Sequence, residues 1–142
     1  VLLAAADQRA HLIKAVRAGT LDAVHAVAEL RKAPRLRLRI EQDLEFALTA
    51  IDVGEHLVAA SKFDAAEVFF NAAEPALLAA REKSKQLGEQ ALCLKKLAWI
   101  RSNYLRQHEQ ATSDIEAAYQ LNPRDRNLRE LRGQMTGRKE KS

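Results

Sequence analysis

Apolar side chains recur three and four positions apart along most of the 142 residues, the spacing that gathers them on one stripe of an α-helix. The pattern predicts a short helix over 7–17, ended near Gly19. Thr20 is placed to cap a second helix through about Lys32, with Leu21, Val24, Val27, Ala28 and Leu30 as its apolar stripe. Pro34 then stops one helix and suits the first turn of the next. Strict alternation in "RLRLRI" (35–40) is a strand signal when taken alone. No turn residue separates it from the helical stretch that follows, and no second strand is there to pair with it. It is read as the first turns of a long helix running to about Ala60.

Ser61 with Asp64 three residues later resembles a capping box opening the next helix, which carries Ala66, Val68, Phe69, Phe70 and Ala73. Pro75 must kink or break it, and a kinked continuation to near Gly88 is expected. Further helices follow over 89–105 and 109–121. Asn122-Pro123 starts a last one, with Leu128, Leu131 and Met135 on one face. The tail "TGRKEKS" is expected to be mobile.

Composition agrees with this pattern: 47% of residues are hydrophobic, with only 5 Gly and 3 Pro, a mixture that favours an all-α chain. The single cysteine, Cys93 in "ALCLKKLA", forms no internal disulfide and reads as core. No apolar run approaches the roughly 18 residues that span a bilayer. The opening "VLLAAADQ" has the small residues of a signal-peptide cleavage region without the charged and long apolar parts before them, so a cytoplasmic chain is favoured over an exported or periplasmic one. The net charge of +4 is segmented: +5 over 1–40, −6 over 41–90 and +5 over 91–142. An acidic middle between basic ends leads to an expectation of weak self-association.

Gly54 sits inside "DVGEHLVAASKFDAAEVFFNAA" (52–73), where glycine costs about 1 kcal/mol relative to alanine in a helix. A phosphate loop needs more glycines and a preceding strand, and neither is present. A close helix crossing is the consistent explanation, with Gly54→Ala tolerated and Gly54→Leu overpacked. The order Ala50, Val53, Gly54, Leu57, then Ala66, Phe70 and Ala73, resembles the tetratricopeptide repeat. A second copy reads Leu94, Leu97, Ala98, then Ala111, Ile115, Ala118 and Pro123, with Arg101 where that family prefers an aromatic. Ala66 to Ala111 is 45 residues rather than the family's 34, so the resemblance is to an extended-helix repeat.

Sites for chemistry are scarce in the sequence. Nucleophile-elbow, zinc-helix and C-x-x-C motifs are absent, and His11, His25, His56 and His108 share no metal-ligand spacing. The expectation is a non-enzymatic chain with no cofactor and no metal. Arg31, Lys32, Arg35, Arg37 and Arg39 cluster near one end, and Arg124, Arg126, Arg129 and Arg132 near the other. Neither cluster interleaves aromatics to stack a base, so nucleic acid is disfavoured as a partner and solvated faces are preferred.

The resemblance implies a short right-handed α-solenoid of stacked antiparallel helix pairs. Its parts would be one domain over 1–135, made of a degenerate pair (1–33), repeat units (34–88 and 89–122) and a capping helix (123–135), before a basic tail (136–142). Val53, Gly54, Leu57, Ala66, Phe70, Ala73, Leu97, Ala98, Ala111, Ile115 and Ala118 would be its packing positions. It further implies a scaffold that binds a protein or peptide in a concave groove lined by Ile51, Glu55 and Val58, and by Lys95, Trp99, Ser102 and Asn103. Ile51 and Glu55 cannot form the carboxylate clamp of the chaperone-binding subclass. The alternatives are an anionic-surface or nucleic-acid binder acting through the arginines, or a piece of a larger repeat array.

Overall fold

The computed structural model describes the backbone of residues 2–32 and 40–141, and the side chains of residues 9–32 and 40–135. Seven helices and no strand occur among the described residues: α1 (Leu2–Ala18), α2 (Ala23–Lys32), α3 (Gln42–Ala59), α4 (Phe63–Lys83), α5 (Leu87–Asn103), α6 (His108–Leu121) and α7 (Arg126–Lys141). The chain is all-α. It divides into two compact units, residues 1–76 and 77–142, with the boundary inside α4.

In the first unit α1 packs on α2 and α3, and α2 packs on α3. Gly19 ends α1 in the left-handed region at φ 76°, as glycine alone does without strain. The Thr20 and Gly19 amides then donate back to the Ala15 and Val16 carbonyls at 3.0 and 3.1 Å. The Thr20 hydroxyl also donates to the Ala15 carbonyl, so Thr20 closes α1 and does not open α2 as expected. Asp22 has that second role, its Oδ1 accepting the His25 amide at 2.9 Å.

The stripe of α2 differs from the expected one. Ala23, Ala26 and Leu30 are buried, whereas Val24 is 67% exposed and Ala28 is exposed too. Small residues face inward because they let the helix lie close to its neighbours, so side-chain size misreads the buried face here.

Residues 35–39 of "RLRLRI" lie outside the described residues, and Ile40 occupies a bend. The long helix therefore begins at Gln42. Glu41 fixes that start: it is extended, and its carboxylate accepts the Asp43 and Leu44 amides at 2.6 and 3.1 Å. The far end of α3 repeats the closure of α1. Lys62 and Ser61 donate to the Leu57 and Val58 carbonyls, and Ser61 takes the left-handed conformation at φ 60°. Ser61 thus terminates α3 instead of capping α4, whose first residue is Phe63.

α4 continues through Pro75 to Lys83, short of Gly88. In the second unit, α5 packs on α6 and α6 on α7 around Leu94, Ala98, Ala111, Ile115, Ala118, Leu128 and Met135. Pro123 lies in the turn before α7. Asp125 caps that helix by accepting the Asn127 and Leu128 amides at 2.9 and 3.2 Å. As backbone, α7 runs through the basic tail to Lys141.

Candidate functional site

The eleven positions assigned to packing, from Val53 to Ala118, are all buried. Gly54 on α3 faces Phe70 on α4 so closely that an added Cβ would lie 2.7 Å from Cε1 and 2.8 Å from Cζ of that ring. Phe70 is itself only 1% exposed and has little room to retreat. The expectation that alanine is tolerated at Gly54 is therefore corrected: even one methyl group collides.

Of the residues placed in a groove, Ile51 is 3% exposed and Ser102 9%, so both belong to packing and not to an accessible face. Glu55 and Val58 on α3 are half-buried. On α5 the exposure is organised. Ala91, Cys93, Leu94, Leu97, Ala98, Ile100, Arg101 and Ser102 are buried, and together they occupy most of the helix circumference. Leu87 and Gly88 in the first turn are exposed and Glu89, Gln90 and Lys95 are half-buried; beyond them a line at helical spacing is open, formed by Leu92, Lys96 and Trp99, all half-buried, and Asn103, which is exposed.

The side chains along this strip differ in how they are held. The Asn103 amide donates through Nδ2 to the Trp99 carbonyl at 2.9 Å. Lys95, beside the strip, is 3.6 Å from Asp125 at the start of α7. Lys96 forms no ion pair among the described residues. Leu92 and Lys96 were missing from the sequence-derived site because the repeat template set its register on Lys95 and Ser102. Their signal was available in the four, three and four residue steps that link Leu92, Lys96, Trp99 and Asn103.

Three of the five described arginines in the basic clusters are engaged. Arg31 on α2 reaches Asp43 at 2.9 Å and lies over the Phe46 ring, 4.1 Å from its centroid. Arg132 on α7 hydrogen-bonds Glu116 at 2.7 Å and lies 4.4 Å over Tyr119. The Glu116 hydrogen bond pushes the Arg132 guanidinium up. Arg126 is 3.4 Å from Glu130, while Arg124 and Arg129 are exposed. Arg35, Arg37 and Arg39 lie outside the described residues.

Between α5 and α6, Arg101 donates to Asp114 at 2.7 Å with both side chains almost fully covered. His25 contacts the Asp22 carboxylate at 2.5 Å, and His56 the Asp52 carbonyl at 2.8 Å. The His25 amide, then its ring, hold the Asp22 carboxyl below its ordinary range. No cluster of His, Cys, Asp and Glu able to hold a metal occurs among the described residues. No helix there is long and apolar enough to cross a membrane. In comparisons with known proteins, the chain matches no family model, no curated protein and no solved structure.

Proposed function

We propose that the chain is a non-enzymatic helical scaffold of tetratricopeptide type that holds a protein or peptide partner against α5. One observation carries the reading. A helix buried over more than half of its circumference presents, on its open side, the chain's only tryptophan, half-buried. A large amphipathic ring with one covered and one open face is the usual anchor of an interface. The packing positions support the repeat resemblance, since Gly54 lies under Phe70 as a close crossing of consecutive helices requires.

The test is panning of the immobilised chain against a random peptide library, with Trp99→Ala alongside. The expected result is enrichment of peptides by the parent chain that the variant loses, by at least about tenfold in affinity, since an anchor contributes about 2 kcal/mol or more. Helical signal and melting temperature stay nearly unchanged. A loss of about 3–5 kcal/mol of stability would instead mark Trp99 as a core residue leaving a cavity. Iodide quenching of its fluorescence reads the same distinction directly.

A further inference from the structure

The strip on α5 has a chemical order of its own: Leu92, Lys96, Trp99 and Asn103 present an aliphatic group, a cation, an aromatic and an amide along one line. Resting on the scaffold reading, we infer that the strip selects an acidic peptide, one whose carboxylate side chain lies about one helical turn from an apolar side chain. Four observations point there. Lys96 is half-buried and forms no ion pair among the described residues, although its neighbour Lys95 has Asp125 at 3.6 Å. A lysine whose stem is half-covered holds its ammonium close to the helix face, and with no ion pair to break among the described residues it is placed to meet an incoming carboxylate.

Trp99, three residues further on, lies one turn along the same face, where Cβ atoms are about 5–6 Å apart. That separation sets the spacing between the peptide's carboxylate and its apolar anchor. Asn103 donates through Nδ2 to the Trp99 carbonyl, so its Oδ1 is left to accept a peptide N–H. The unit as a whole has the same sign: residues 77–142 carry 14 basic and 8 acidic side chains, a net +6, which draws an acidic segment toward this unit.

The experiment is the same panning carried out on the full chain, extended by Lys96→Glu, Lys96→Gln and Lys96→Arg, each checked for an unchanged helical spectrum. Enriched peptides are expected to place Asp or Glu beside an apolar residue. A synthetic peptide of that sequence should bind about tenfold more weakly to Lys96→Gln and equally well to Lys96→Arg, and Lys96→Glu should shift selection toward basic peptides. Trp99-dependent peptides with no acidic excess, or affinities that change less than about twofold with Lys96→Gln, would overturn the acidic assignment and leave the scaffold reading standing. Absence of any Trp99-dependent enrichment would overturn both. An oligonucleotide that displaces the peptide with the same Lys96 dependence would reassign the strip to phosphate.

Discussion

Gly54 and Arg101 stand on α3 and α5, each of which is followed by a helix it packs against, and they meet that partner in opposite ways. In residues 1–76 the contact is one of shape, a glycine with a phenylalanine ring set where its Cβ would be. In residues 77–142 it is one of charge, a covered guanidinium on a covered carboxylate between α5 and α6. The helices of both crossings bury small residues, Ala66 and Ala73 on α4 and Ala98, Ala111 and Ala118 on α5 and α6. The difference teaches that close approach of helices leaves open what fills the remaining space. A steric contact tolerates no added volume, whereas an ionic one tolerates no lost partner.

The largest effect is expected from breaking the ionic contact. Arg101→Ala leaves Asp114 covered and without its guanidinium, at a cost of about 3–5 kcal/mol in denaturant unfolding. Replacing both, as Arg101→Met with Asp114→Leu, should recover most of that loss, because desolvation of two charges offsets much of their attraction. A double variant as unstable as the single one would show that the pair contributes more than mutual neutralisation.

The steric contact comes next. Overpacking costs about 1–3 kcal/mol and occasionally more, so Gly54→Leu should lie at or above the top of that range. Gly54→Ala gains about 1 kcal/mol of helix propensity, yet its methyl group meets the Phe70 ring, and the balance is a smaller net loss. Gly54→Ala combined with Phe70→Leu should recover stability if the ring is the obstacle. An equilibrium melt of the four chains decides it.

Gly54 also shows how far the sequence could be read. Its burial and the close crossing followed from glycine's cost inside a strong helix. The collision with alanine did not, because it depends on a ring angle that no spacing encodes. Helix number and approximate extent were legible from apolar period, but helix ends were set by residues that the pattern ranked second. Asp22, Glu41 and Asp125 supply the capping oxygens, whereas the pattern points to Thr20 for α2, to Pro34 for the first turn of the long helix and to Asn122-Pro123 for the start of the last. Carboxylates at those positions reach two amides at once at α3 and α7. Ser61 reads as an N-cap by residue type, and only its positive φ reveals that it ends a helix. At the candidate site Trp99 and Asn103 were found in advance. Lys96 was missed because its significance lies in having no ion pair among the described residues, a property of surroundings and not of order along the chain.

The smallest expected effect is at the edge of the first unit. The Asp22 carboxyl is held below its ordinary range by the His25 amide and ring, so its contribution to stability is present above the usual aspartate range and is lost as pH falls through about 4 and below. Amide exchange at the start of α2 should quicken there in acid, and Asp22→Asn should remove the pH dependence while keeping the cap.

Cys93 lies in the middle of α5 with no exposed surface. A thiol reagent meets it only when that helix comes away from its neighbours, so at high reagent concentration the labelling rate becomes the opening rate itself. Trp99 fluoresces from the same helix, while residues 1–76 contain neither cysteine nor tryptophan. The chain thus carries its own stopwatch and lamp, both in one half, and two native side chains time how that half breathes without any residue being introduced.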